Sequence, residues 1–459
     1  MKMKKIIFLN LLFWLFLGNF QAQTLKVSSN GRFFTQNNDK PFFWLGDTAW
    51  LLFKKCSRQE TISYLNTRKK QGFNVVQVMI LHDLKNTKNY YGNEAIIDSD
   101  VSKPIVKHGN DFNNSNEYDY WDHVEWVIDE AAKRNIFMAL VPIWGSNVKA
   151  NLVNVFQAKT YIEFLTNRFK NKTNIIWLNG GDLRGDDHLE IWNVIGKTLR
   201  ENDKNHLITF HPRGRTMSSE WFHNENWLDF NMFQSGHRNY AQDISPEEKH
   251  HFGEDNWRYA ETEYNLKPIK PTLDGEPSYE NIPQGLHDPK QLRWNDDDVR
   301  RYAYWSVFAG CAGFTYGENS VMQFYKKGEL NPAYGAEIDW RDSIKSAGAN
   351  QVKYLKKLIL SKPYFERIPA NYLIANQGER YNYIAATKGT NYAFFYTYTG
   401  RIINVFMEKL SSKNTKYSWF NPRNGVITKK GMISSKGMKS FDPPGIEQAG
   451  NDWVLILEN

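Results

Sequence analysis

The sequence has few cysteines. Only Cys56 and Cys311 occur in 459 residues, which excludes a disulfide-dense scaffold and a cysteine-rich zinc site. The two could form one disulfide in an oxidising compartment, or stand as separate buried thiols. No Gly-x-Ser-x-Gly elbow and no phosphate-binding loop is present, so esterase and kinase readings lack support. No run of Lys or Arg resembles a nucleic-acid-binding arm, and nucleic acid is not an expected partner. Beyond the N-terminal segment, no apolar run is long enough for a transmembrane helix.

The N-terminus reads as a secretory signal over residues 1–22. Lys2, Lys4 and Lys5 precede an apolar run from Ile6 to Leu17, too short to span a bilayer comfortably. Cleavage after Ala22 would leave no membrane anchor and gives a secreted or periplasmic expectation. It removes three lysines and no acid, taking the net charge from +8 to about +5. That mildly basic balance is compatible with an acidic polysaccharide, although it also serves solubility. Aromatics make up 15% of the chain, with 16 Trp; most are expected in the core, and a handful would offer flat faces to sugar rings.

The length allows two domains. After a hairpin over Leu25–Lys40 with Asn30-Gly31 as its turn, short apolar strands alternate with helical patterns. The strands are Pro41–Gly46, Asn74–Ile80, Phe137–Val141, Ile175–Leu178, Leu207–Phe210, Leu228–Phe233, a strand from Pro271, and Gly313–Tyr316. Ser57-Arg-Gln-Glu60 is a capping box that starts a helix running to about Lys70. Asn295-Asp-Asp-Asp298 places acids at another helix start. Eight strand–helix repeats predict an α/β (β/α)8 TIM barrel over residues 23–362. The polar stretch Leu84–Tyr118 is expected to form one wall of the cleft. After Pro363, short strands at Tyr372–Ala375, Tyr383–Ala386, Tyr392–Tyr398, Ile403–Phe406, Tyr417–Phe420 and Trp453–Leu457 predict a small all-β sandwich over 363–459. It is expected to brace the barrel; a glycan-binding role would need Trp419 and Trp453 exposed.

Chemistry in such a barrel is done where strands exit. The fourth strand exits at Asn179-Gly-Gly-Asp182, and the seventh ends in Asp274-Gly-Glu276. Two acids facing one another across the mouth suit glycosidic bond cleavage, where one protonates the leaving oxygen and the other attacks the sugar or activates water. Glu276 is the expected nucleophile and Asp182 the acid/base. The bland alternatives are a helix cap or an ion-pair partner. Asp274, two residues before Glu276, would share its face on a strand and could orient it or raise its pKa. Other strand exits supply a substrate-binding shell: Asp47, Trp50, Gln77, His82, Trp144, Asn179, His211, Gln234, His237 and Tyr316. The first strand ends Gly46-Asp47-Thr48, without the His-x-His of metal-dependent hydrolase barrels; no metal and no other cofactor is expected.

Several motifs together resemble glycoside hydrolase family 140, the apiosidase-like enzymes. They are Trp44-Leu-Gly-Asp-Thr-Ala-Trp50, Trp177-Leu-Asn-Gly-Gly-Asp182, Phe210-His-Pro-Arg-Gly-Arg215, Phe233-Gln-Ser-Gly-His237, Asp274-Gly-Glu-Pro277 and Thr315-Tyr-Gly-x-Asn-Ser320. The tail, with Trp419-Phe-Asn-Pro-Arg-Asn-Gly425 and Trp453–Leu457, is similar to the β-sandwich labelled collagen-binding that follows these barrels. The resemblance implies hydrolysis of apiose linkages in the pectin rhamnogalacturonan II, with the catalytic pair carried by Asp182 and Glu276. Glu318 stands where the eighth-strand motif leads one to expect His, a change expected at the rim of the site. By analogy with other barrels whose acids follow strands four and seven, retention is expected. The expectation is thus a secreted, monomeric glycoside hydrolase acting on plant polysaccharide. The alternative is a carbohydrate-binding protein that keeps the barrel without catalysis.

Overall fold

Runs such as Val75–Leu81 and Phe137–Ile143 are apolar at nearly every position and fully buried along their length. Such strands need cover on both faces, which a parallel sheet wrapped by helices provides. The computed structural model describes residues 25–36, 39–410 and 413–459; the expected signal segment lies outside the described residues. Eight parallel strands form the barrel: β1 (Trp44–Thr48), β2 (Val75–Leu81), β3 (Phe137–Ile143), β4 (Ile175–Leu183), β5 (Ile208–Pro212), β6 (Asn231–Gln234), β7 (Thr272–Asp274) and β8 (Gly313–Tyr316). The ladder runs β5-β4-β3-β2-β1-β8-β7-β6. Between β5 and β6 the ring closes without a regular ladder. There the Asp229 amide donates to the Ile208 carbonyl at 2.9 Å and the Thr209 hydroxyl to the Phe230 carbonyl at 2.6 Å.

The (β/α)8 expectation is met, with shifts at the edges. Lys40–Phe42 does not open the barrel. It pairs with Phe34–Gln36, which pairs with Leu25–Val27, in a separate antiparallel meander. The fourth strand continues through the glycines to Leu183, past the expected end at Leu178. Both helix-start readings hold: Ser57 and Glu60 form a capping box on Arg58–Lys70, and Asn295 and Asp298 form one on Asp296–Phe308. Cys56 and Cys311 are separate buried thiols. Among the described residues no helix is long and apolar enough to cross a membrane.

The C-terminal module is a six-stranded antiparallel sheet in the order Ile368–Pro369, Ile384–Lys388, Tyr392–Thr397, Trp453–Glu458, Asn414–Phe420, Ile427–Ser434. Side chains alternate along its strands. Phe394, Tyr396, Val454 and Ile456 join the barrel core, and Tyr396 stacks on Tyr304 of the helix Asp296–Phe308 at 4.6 Å. Phe395, Leu455, Leu457, Trp419 and Trp453 face the other way, where the pair Ile403–Phe406 and Met438–Phe441 covers them. Trp419 and Trp453 are therefore 2% and 7% exposed, which removes the feature the glycan-binding reading of this module required. Tyr372–Ala375, expected as a strand, instead begins in a 3-10 turn over Asn371–Leu373. Ile427–Ser434 and Met438–Phe441 were not anticipated; they are lysine-bearing and largely exposed, so they lack the apolar alternation of a half-buried strand.

A buried ion cluster fastens module to barrel. Arg300 Nε and Nη2 donate to the two Asp452 carboxylate oxygens at 2.8 and 3.0 Å. Tyr396 and Arg423 reach the same carboxylate at 3.2 and 3.3 Å. Removing one member of a buried pair strands the other's charge. Asp452→Ala is expected to lower the unfolding free energy by about 3–5 kcal/mol, measured as a reduced urea midpoint.

Candidate active site

Near the carboxyl ends of the barrel strands lies a cavity of about 360 Å³. Strand β4 delivers Asp182 to it along an unusual backbone path. Gly180, Gly181 and Asp182 have φ of +89°, +127° and +56°. A Cβ at Gly180 would sit 2.6 Å from the His211 carbonyl oxygen, and one at Gly181 would sit 2.9 Å from the Gly145 amide. Only glycine fits either place. Asp182 holds a left-handed conformation despite its side chain, a strain of about 1 kcal/mol. Its carboxylate is open to the cavity and takes a hydrogen bond from the Gln234 side chain.

Glu276 enters two residues past the end of β7. Its Oε1 is 3.1 Å from His237 Nε2, and its Oε2 is 3.2 Å from His211 Nε2. The Tyr279 amide donates to His237 Nδ1 at 3.4 Å. That bond leaves the His237 proton on Nε2, aimed at Glu276. Beneath the site, Gln77 Nε2 donates to the Gly275 carbonyl at 2.9 Å and steadies the turn before Glu276.

The two acids are driven apart electrostatically. Burial alone would raise Glu276, but the His211 and His237 side chains against its two oxygens hold it down at about 2. Asp182 is pushed up to about 6 by desolvation and then by the negative charge of Glu276, against opposing pulls from His211, His237 and Gln234. Between about pH 3 and 5 the pair thus holds one ionised carboxylate and one protonated carboxyl group in the same cavity.

Of the residues expected here, Asp182, Glu276, Trp50, His82, Trp144, Gln234 and His237 line the cavity. Trp50 and Trp144 pack at 5.2 Å and form an aromatic wall, with His211 edge-on to Trp50. His211 lies just behind Glu276, fully buried. Five others do not reach the cavity. Asp47 is sealed in a buried pair with Arg68 at 2.6 Å and accepts from Tyr64. Asn179 donates to the Trp192 carbonyl at 2.8 Å and pins its own strand. Gln77 supports Gly275 as described. Tyr316 donates to Glu280 at 2.6 Å. Asp274 accepts from Ser235 Oγ at 2.8 Å and Asn256 Nδ2 at 2.9 Å. The chain turns at Gly275, so the every-second-residue rule that would put Asp274 beside Glu276 stops there; burial raises its own pKa to about 7. Glu318 is not at the rim. It is buried and caps Asn319–Met322 by accepting from the Ser320 and Val321 amides.

The expected wall Leu84–Tyr118 also does not line the cavity. Its hairpin, Ile96–Ile97 with Asp100–Pro104, packs on the helix Val155–Phe169, where Gln157 Nε2 donates to Asp100 Oδ1 at 2.9 Å, and Trp121 Nε1 donates to the adjoining Ala95 carbonyl at 3.1 Å. The walls come instead from the loops after β5, β6, β7 and β8, with Arg213, Arg215, Arg238, Tyr279, His287, Gln323 and Tyr334. Arg213 and Arg215 stood in plain view in the Phe210–Arg215 motif. Tyr334 and His287 lie on irregular loops with no strand to place them.

Residues 28–366 match the apiosidase-like catalytic domain, and residues 368–458 match a family described as the collagen-binding domain of a collagenase. The chain belongs to the apiosidase-like family. A solved glycoside hydrolase is 45% identical, covering 95% of this chain and 97% of that one, with a TM-score of 0.89. A glycoside hydrolase family 5 protein from Bacteroides vulgatus is 43% identical over 95% and 93% of the two chains, also with a TM-score of 0.89. Comparison with curated protein sequences finds no match. The protein is a glycoside hydrolase of apiosidase-like fold, and a carbohydrate is its substrate.

A carboxyl group whose folded pKa is raised binds its proton more tightly in the folded state. Stability is therefore lost as pH rises from the ordinary carboxylate range through the folded value. Asp182→Asn removes that loss. It is expected to stabilise this apiosidase-like hydrolase by about 1 kcal/mol at pH 7, the figure being modest because the carboxylate is open to cavity water. The gain should vanish at pH 3, as read from urea titrations at both pH values.

Proposed function

We propose that the apiosidase-like hydrolase is exported by cleavage after Ala22 and acts on pectin, releasing apiose-linked side chains of rhamnogalacturonan II with retention of configuration. The observation that carries the assignment of roles is the split between the two acids: Glu276 low at about 2, Asp182 high at about 6, in one cavity. Glu276 attacks the anomeric carbon as a carboxylate while the Asp182 carboxyl proton passes to the departing glycosidic oxygen. The C–O bond breaks and a glycosyl ester on Glu276 forms. Esterification removes the Glu276 charge that had raised Asp182. Asp182 then becomes the stronger acid in its ionised form's favour, and as a carboxylate it takes a proton from the incoming water. Water displaces Glu276, and both groups return to their first state.

An acidic polymer is favoured by the cavity wall. Arg215 is paired with Asp243 at 3.1 Å and Glu248 at 3.2 Å, and Arg213 shares Glu248 at 3.2 Å. Arg238 Nη1 donates to the Gln242 carbonyl at 3.2 Å. Three guanidiniums against two carboxylates leave positive charge for a uronate carboxyl group. Trp50 and Trp144 supply the ring-stacking surface.

Glu276→Gln and Asp182→Asn are each expected to lower sugar release from rhamnogalacturonan II by about a thousandfold or more, with glycan binding kept. Product analysis for free apiose, and NMR of the first-formed anomer, test linkage and stereochemistry. A wild type that binds these glycans and releases nothing would establish a binding protein instead. Activity requires Glu276 ionised and Asp182 protonated. It should plateau between about pH 3 and 5, and kcat/KM should fall about tenfold per pH unit above pH 6. A profile with its alkaline limb well above pH 7 would reject Asp182 as the acid.

A further inference from the structure

The C-terminal module reaches back to the catalytic loop. Loop residues 235–255 follow β6. They begin with His237, which holds Glu276, and Arg238, which lines the cavity. Near its far end stands Glu254, which is 1% exposed. Three groups converge on that carboxylate. Arg301 Nη2 donates to Oε2 at 2.6 Å, from the helix Asp296–Phe308. The Tyr240 amide donates to Oε1 at 3.3 Å, from within the loop. The Tyr381 hydroxyl donates to the same Oε1 at 2.9 Å, from the C-terminal module.

The contact is more than one hydrogen bond. The rings of Tyr240 and Tyr381 meet at 5.6 Å. The neighbouring Arg380 guanidinium covers the Tyr240 ring at 4.9 Å. The Arg301 guanidinium lies 5.0 Å from the Tyr381 ring. Tyr240 stands three positions beyond His237, and Asn239 Nδ2 donates to Gln284 Oε1 at 2.8 Å, across to the loop after β7. A side chain of the second module is thus tied to a segment whose other end touches Glu276.

We propose that Tyr381 is a positioning residue for the reaction: through Glu254 and Tyr240 it clamps the loop that presses His237 onto Glu276. The C-terminal module is then part of the working active site, although none of its residues lines the cavity. A tyrosine suits this place. Its ring fills the space between Tyr240 and Tyr398, which lies 5.7 Å away, while its hydroxyl reaches a buried carboxylate. This inference rests on the assignment of Glu276 as nucleophile. The groups facing Glu276 are His211 from β5, His237 from β6, Asp182 from β4 and Tyr279 beyond β7. Of these, only His237 belongs to the clamped loop, so loosening the clamp weakens one of the two imidazole contacts and leaves the others.

The test is Tyr381→Phe in the full chain, which keeps the ring and deletes the hydroxyl. Tyr372→Phe, an exposed tyrosine of the same module, is the control. In Tyr381→Phe, kcat on rhamnogalacturonan II should fall about tenfold with KM nearly unchanged. The acid limb of kcat/KM should move up in pH, because Glu276 loses part of what holds it ionised. Backbone amide exchange over residues 238–243 should quicken. Tyr372→Phe should change none of these. Unchanged exchange in Tyr381→Phe, or a loss of activity that follows melting temperature with the acid limb unmoved, would overturn the clamp. Amide exchange needs no substrate: quickened exchange in Tyr381→Phe, alongside a wild type that cleaves nothing, would keep the clamp and reject the nucleophile assignment separately.

Discussion

The site depends on two imidazoles gripping one carboxylate. Glu276 sits in a nearly dry pocket that by itself favours its neutral form. His211 and His237 contact one oxygen each and reverse that preference. Once Glu276 is ionised, its charge becomes a cause of the protonation of Asp182. The protonation states of Glu276 and Asp182 are therefore not two independent tunings. One contact pair sets the first, and the first helps set the second. It follows that the parts that aim the histidines belong to the chemistry even where they touch no sugar: the Tyr279 amide on His237, and the packing of His211 beside Trp50.

The barrel supplies the aim. Strand ends are rigid, and the loops leaving them are free to vary. The strand β4 exit gives up regular geometry to bring Asp182 forward, and it can do so because glycine occupies the two preceding positions. The strand β7 exit is held from below by Gln77 on Gly275 and from the side by Asp274 fixed to Ser235 and Asn256. These polar residues were expected to meet substrate. They lie one layer down instead, where they hold Gly275 and Ser235, the chain neighbours of the cavity-lining Glu276 and Gln234.

That displacement shows how much of the site was legible. The rule that barrel strands present chemistry at their exits located Glu276, Trp50, Trp144, Gln234 and His237, which stand at or just beyond the last ladder residues, and Asp182, which sits in the break of register before Leu183. It failed for Asp47, Gln77 and Asn179, which lie within the ladder, and for Asp274 and Tyr316, which end their strands but turn to partners in the surrounding protein. Buried polar side chains must find partners, and Arg68, Gly275, Trp192, Asn256 and Glu280 are those partners. A polar residue inside a strand and one just past it look alike in sequence, and a boundary error of one or two residues exchanges their roles. The loop residues Tyr279, His287 and Tyr334 had no periodic signal to place them. The C-terminal sheet was legible where apolar alternation is strong, as in Tyr392–Thr397 and Trp453–Glu458. It was not legible in Ile427–Ser434, where lysines and exposed residues dominate.

The arginine wall raises a physical conflict. Guanidiniums lining the same cavity as Asp182 would favour its ionised form. The structure meets this with two buried carboxylates. Asp243 and Glu248 are 2% and 0% exposed at their side chains, and both pair with Arg215. Arg213 leans on Glu248 as well. The strongest influences on Asp182 remain burial, Glu276, the two histidines and Gln234. The positive charge is thereby kept local. It acts at the cavity wall, and its own acids screen it from the Asp182 carboxyl group in the same cavity.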